Sequence, residues 1–267
     1  MNFAVTPKEI LKANLCLILV LLLGHLVALT LATHFDSRVT HFAVRLLSLD
    51  AERNIPTLYS SITLLLSSTL LGLIAWQRAK TALPYIGWLG LSLIFLFLSI
   101  DETNSIHERT TKSVREVLNA SGFLYFAWVI PYGVAIIILA AVYANFIRKL
   151  AKPTQQLFIV SGCIFVTGAL GFEMLGGKLT ESIGKQNLSY IFISTCEELL
   201  EMFGIALFNY SLFSYITDQF QSFTITVNDN LIVEDTDHQI VEDTQIVEDT
   251  DHQEFPDANL EKYLHPE

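Results

Sequence analysis

The chain has 267 residues, 52% of them hydrophobic and 16% charged, with a formal net charge of -11 and a positive mean hydropathy. The apolar residues come in long blocks without strand or amphipathic-helix periodicity, which excludes an ordinary soluble domain and reads as a polytopic membrane protein. The acidity belongs to one end: residues 218–267 hold 14 acids and one base, against 13 acids and 15 bases in the rest. Cys16, Cys163 and Cys196 all fall inside apolar blocks, so neither a disulfide framework nor a thiolate metal motif is indicated. No nucleotide-binding glycine loop, nucleophile elbow or nucleic-acid motif is visible.

A helix needs roughly 20 apolar residues to cross the hydrocarbon of a bilayer. Six blocks qualify, at residues 11–33, 58–77, 85–100, 123–147, 157–175 and 190–216. The expected fold is all-α: a six-transmembrane-helix bundle over residues 1–217, followed by an acidic, disordered tail over residues 218–267. The first block exceeds a signal-peptide core in length and is read as a retained helix. It carries His25 well inside the span, either a packing histidine or an accessory to a polar site.

After it, Val39, Phe42, Leu46 and Leu47 recur at helical spacing against Arg38, His41 and Arg45, which predicts an amphipathic helix lying in the membrane interface. Asn54-Ile-Pro56 signals the start of span two, and the short 78–84 connection makes spans two and three antiparallel neighbours. Span three runs into Asp101-Glu-Thr-Asn-Ser-Ile-His107-Glu108, with a solvated helical extension beyond. Pro131 should kink span four. Gly168 and Gly171 should let span five approach a neighbour closely, and Gly176 and Gly177 should end it. In the tail, Ile232-Val-Glu-Asp-Thr-Asp-His-Gln recurs in part from Ile240 and in full from Ile246, a low-complexity repeat too short and acidic to bury a core.

Seven of the 13 acids before residue 218 sit in three places: Asp101, Glu102 and Glu108; Glu173; and Glu197, Glu198 and Glu201. In a chain of hairpin-connected spans, the ends of odd spans and the starts of even spans share a membrane face. All three places, with His25 and Pro131, therefore fall in one leaflet. At about 100° per residue, Glu197, Glu201 and Glu198 lie within roughly 100° of arc. If helix three continues past the membrane, Asp101, Asn104, His107 and Glu108 also share a face, while Glu102 points away towards Arg109.

Clustered carboxylates cannot stay charged and unsolvated, because like charges and burial both disfavour ionisation. A bound metal, shared protons or paired bases would compensate, and no Lys or Arg lies deep in any span. The leading expectation is a divalent metal site (Mn, Fe, Mg, Ca or Zn) with Asp101, His107, Glu108, Glu173, Glu197, Glu198 and Glu201 as ligand candidates. In a lipid-active metalloenzyme His107 and Glu108 would be the catalytic candidates, His107 as ligand or general base. A proton- or cation-coupled transporter and a purely structural polar core are the alternatives. The paired Glu-x-x-His signature of four-helix di-iron proteins is absent.

The stretches Asp50-Ala-Glu-Arg-Asn-Ile-Pro-Thr-Leu-Tyr-Ser-Ser, Leu96-Phe-Leu-Ser-Ile-Asp-Glu and His107-Glu108, with the Glu173 and Glu197-Glu198 motifs, resemble a family of uncharacterised bacterial polytopic membrane proteins. That resemblance implies a shared fold and a bacterial inner-membrane location, with no activity attached. The chain also lacks the late histidine pair of the alkaline ceramidase type of metal hydrolase. The density of bases in the short connections favours a cytoplasmic N-terminus. The expected partners are the bilayer and a lipid or amphiphile substrate, with no nucleic acid.

Overall fold

A computed structural model describes residues 6–219. Among these the chain is all-helical. The acidic repeats and the disorder expected of the tail lie outside the described residues.

Helix α1 (Pro7–His34) begins earlier than the apolar block because Thr6 and Glu9 form a reciprocal capping box and Pro7 occupies the first turn. After Ser37 caps it, α2 (Arg38–Leu47) turns the expected amphipathic face outward, with Val39 and Phe42 exposed. Helix α3 (Ile55–Lys80) starts where expected, Asn54 accepting from the Thr57 amide at 3.1 Å.

Small hydroxyl residues join α3 to α4 (Ile86–Asn104). The Ser61 hydroxyl meets those of Ser99 (3.1 Å) and Thr103 (2.7 Å), and Ser68 and Ser92 each donate to the other's carbonyl at 2.8 Å. Such contacts satisfy polar atoms while letting backbones approach, the usual way helices associate in lipid.

Helix α4 ends at Asn104 instead of running on as the expected continuous extension. Ser105 takes a left-handed conformation (φ 51°) and breaks it from α5 (Ile106–Leu118). Span four also begins later than its apolar block: Gly122–Leu124 form a single 3-10 turn, and α6 runs Val129–Arg148. Pro131 therefore sits in the first turn of α6, where its missing N–H has no intrahelical partner to lose, and no kink is required.

Helix α7 (Lys152–Ile183) runs through Gly176 and Gly177 instead of ending there. Both glycines are buried contact points, the first against Tyr190 and the second against Tyr125 and Phe126. Within α7, residues Thr167–Phe172 form a π-helical turn. The last helix, α8, spans Leu188–Gln219.

Five helices, α1, α3, α4, α6 and α7, are long and apolar enough to cross a membrane. With 32 residues, α8 has the length of a span, but Glu197, Glu198 and Glu201 interrupt its apolar run. Among the described residues, one core centres on Trp88, which packs edge-on to Phe146 and Phe158 and lies 4.6 Å from Tyr215 between ring centres. A second gathers Ile18, Leu21, Leu49, Met202 and Ala206.

Candidate functional site

Asp101, in the last turn of α4, is buried at 4% exposure. Its Oδ1 accepts from the His107 amide at 2.8 Å and faces His107 Nδ1 at 3.3 Å, while Oδ2 accepts from the Tyr132 hydroxyl at 2.9 Å. The reversal at Ser105 makes this possible by swinging the start of α5 back over the end of α4. Ser105 itself provides no cap; the Asp101 carboxylate takes an amide at the N-terminus of α5, where the helix dipole favours a negative charge. The Ser105 hydroxyl instead donates to Glu52 at 2.9 Å.

His107 packs 4.7 Å from the Trp128 ring. Burial opposes its charged form, yet the hydrogen bond and charge of Asp101, helped by Glu52 and Glu102, push the imidazole up to about 9. Nδ1 is engaged by Asp101, so Nε2 is the nitrogen available to a ligand. Burial raises Glu52; the Ser105 hydroxyl opposes that rise, Glu108 adds to it, His107 opposes it and Asp101 adds to it.

The second half of the site comes from α7 and α8. Glu173 accepts from Trp128 Nε1 at 2.7 Å, and its carboxyl group lies within hydrogen-bonding reach of Glu197. Two features bring them together. At Gly168 a Cβ would sit 2.8 Å from the Glu197 carbonyl oxygen, so only glycine admits α8 this close. The π turn adds about one residue to the local helical repeat and so rotates Glu173 by roughly 100°. In a regular helix Glu173, five residues on from Gly168, would lie about 140° from the contact line with α8; the added residue brings it to within about 40°.

Nine acids line one cavity of about 780 Å³: Asp50, Glu52, Asp101, Glu102, Glu108, Glu173, Glu197, Glu198 and Glu201. His107 and Lys185 are the basic side chains among its lining residues. Every acid and the histidine expected at the metal site therefore reach a common space. Among the described residues the ion pairs are His41–Asp36, outside it, and His107–Asp101, within it, so Glu102, Glu108, Glu198 and Glu201 are not paired with a base. Also among the described residues, no three His, Cys, Asp or Glu side chains are drawn together tightly enough to hold a metal ion.

Two expectations are corrected. Glu102 does not turn away to Arg109 but lines the cavity. The shared face of Asp101, Asn104, His107 and Glu108 on one continuous helix does not exist; the break at Ser105 assembles Asp101, His107 and Glu108, and leaves Asn104 exposed with its amide on the Ile100 carbonyl. His25 stands apart from the cavity lining. Nδ1 accepts from the Leu49 amide at 3.1 Å, so Nε2 carries the proton and donates to Thr195 at 3.1 Å. A neutral ring with both nitrogens satisfied ties α1 to the loop after α2 and to α8.

Several contributors escaped the sequence reading: Asp50, whose carboxylate accepts from Tyr190 at 2.8 Å, and Glu52, Trp128, Tyr132 and Lys185. For Asp50 and Glu52 a signal existed, because they immediately precede the Asn54 cap of α3, the end of that helix at which the hairpin pattern of the sequence expects the other acids.

A family profile described as a domain of unknown function, DUF8692, matches residues 15–215. The chain belongs to this family. The matched region takes in all the cavity-lining residues of this DUF8692 member and stops short of the acidic repeats. No curated protein and no solved structure matches the chain.

Proposed function

We propose that this DUF8692 protein is an integral membrane protein of six spans, α8 being the sixth, whose acidic cavity binds a divalent metal ion and serves a metal-dependent enzyme acting on an amphiphile. The observation that carries the reading is the charge imbalance: nine carboxyl groups face one space with a single lysine and a single histidine. Asp50 and Glu108 are exposed, but the other seven are buried or half-buried, and bringing that many like charges together with little water is costly unless a cation or protons compensate. The donor set is rich in carboxylate oxygen with one imidazole, which suits Mn, Fe, Mg or Ca, and zinc with His and carboxylate ligands. Glu173, Glu197 and Glu201 are the first ligand candidates, and His107 Nε2 the nitrogen donor. Because the side chains are not drawn into a closed shell, metal binding requires the ligand side chains to rotate towards one another.

Elemental analysis of detergent-purified protein, paired with thermal unfolding with and without added Mn, Fe, Mg, Ca or Zn, tests the metal. The expected outcome is about one ion or more per chain and metal-dependent stabilisation, both lost in Glu197→Gln. Absence of ion and of stabilisation overturns the reading.

A proton- or cation-coupled transporter is the second reading, and one observation favours it: the π turn in α7 beside Glu173, since irregular helix turns mark ion sites in transporters and functional sites generally. Ion flux in proteoliposomes that Glu197→Gln abolishes would establish transport in place of catalysis. The motif resemblance supports a bacterial inner membrane, and the basic 78–84 and 148–152 connections support a cytoplasmic N-terminus.

A further inference from the structure

The acids occupy only one end of the cavity. Its remainder is apolar and lies between α4, α6 and α7, bounded by residues such as Phe95, Ala135, Leu139, Phe158, Gly162 and Ala169. Helix α6 explains why the space exists. Near its start Trp128 and Tyr132 bond to Glu173 and Asp101, and near its end Phe146 packs against Trp88. Between these attachments Ala135, Ile136 and Leu139 look into the cavity, while Val134, Ile137, Ile138 and Val142 are exposed on the opposite side. At Gly162 a Cβ would meet nothing within 4 Å, so the lobe is open there.

We infer that this lobe seats the single hydrocarbon chain of a membrane amphiphile whose neutral or cationic head lies among the carboxylates. The inference rests on the reading of the helices as membrane spans and of the acidic end as a cation site, and it specifies the substrate class of that site. The size fits one chain. From Asp101 to Leu91, both lining residues, α4 rises about 15 Å. That is the length of roughly twelve bonds in an extended chain, at about 1.2 Å per bond. The cavity of about 780 Å³ has room for one such chain with a head beside it. The head chemistry follows from charge. Nine carboxyl groups stand against only His107, already paired with Asp101, and Lys185, so whether ionised or protonated this lining offers a phosphate or carboxylate head almost no cationic partner. Phe126, Trp128, Tyr132 and Tyr190 line the same end, and Lys185 Nζ lies 4.9 Å over the Phe126 ring and 5.6 Å over that of Tyr190, so an ammonium is a charge these rings accept.

The test uses the full chain in nanodiscs with a photoreactive twelve-carbon alkylamine, adducts being mapped by mass spectrometry and metal content measured in parallel. Adducts are expected on Ala135, Leu139 and Ala169, competed by excess alkylamine or alkanol of equal length and not by the alkanoate. Gly162→Phe should lower this competed labelling at least tenfold while leaving metal content unchanged, and Ala135→Phe should do the same. The inference is overturned by labelling that excess alkylamine does not compete, by adducts confined to the outward residues Ile137, Ile138 and Val142, or by equal competition from the alkanoate. Competed labelling in protein without metal would sink the metal reading and keep this one; metal without competed labelling would do the reverse.

Discussion

Replacing Asp101 with Asn isolates the charge that holds His107 protonated. The asparagine carbonyl still accepts from the His107 amide, so the cap on α5 survives while the negative charge disappears. In the native protein His107 stands at about 9 against an ordinary 6.5. A folded-state value above the unfolded one means that the stabilisation is fully present below 6.5 and is lost as pH rises through 9. The difference corresponds to about 3 kcal/mol at about 1.4 kcal/mol per unit. Thermal unfolding of the full chain between pH 6 and 10, with chelator present so that no metal competes for the ring, should show native stability falling across that window. Asp101→Asn should be less stable at pH 6.5 and fall less than the native protein from there to pH 9. Imidazole NMR should place the native His107 titration well above neutrality and lower it in the variant, where burial is opposed only by the weaker pull of Glu52 and Glu102. Flat native stability from pH 6.5 to 9.5, or a native ring that titrates below 7, refutes the pairing.

Gly168→Ala places a methyl group 2.8 Å from the Glu197 carbonyl; overpacking of this kind costs about 1–3 kcal/mol. It should lower thermal stability and metal content together, whereas Gly162→Ala, in open space, should change neither. His25→Leu leaves the Leu49 amide without its acceptor, a loss of about 1–3 kcal/mol, and metal content of the folded protein should stay at the native level. Trp128→Phe removes the donor to Glu173 while keeping an aromatic ring beside His107. Calorimetric titration should show weaker metal binding, and retention of native affinity would place Glu173 outside the ligand set.

Much of the site was legible before any coordinates because a membrane chain carries few acids and cannot place them idly. Glu197, Glu198 and Glu201 share a face by helical spacing alone, and hairpin parity predicts them at the same end of the bundle as Asp101 and Glu173, with which they line one cavity. Glu102 was misjudged because its direction was inferred from a helix that in fact stops at Asn104. Asp50 and Glu52 were missed because loop residues have no periodicity to read. Tyr132, Trp128 and Tyr190 resembled any other aromatic residues of a span, and only the acids they bond distinguish them.

Sequence alone determined the helical class and the place of most of the apolar helices, though not every boundary. Runs of apolar residues set helix length, since unpaired backbone groups cannot be left in hydrocarbon, and Asn54, Pro56 and the alternating face of α2 marked boundaries and an amphipathic surface. Tertiary structure decided how those elements are interrupted and which way they face. The left-handed Ser105 and the π turn at Thr167–Phe172 are backbone irregularities that local propensity does not demand. Packing and polar bonds support them: the Asp101 contacts to His107 and Tyr132, and the approach of α8 to Gly168. Each re-aims acidic side chains by a large fraction of a turn, so the meeting of these carboxylates in one cavity is a property of the folded bundle and not of residue spacing.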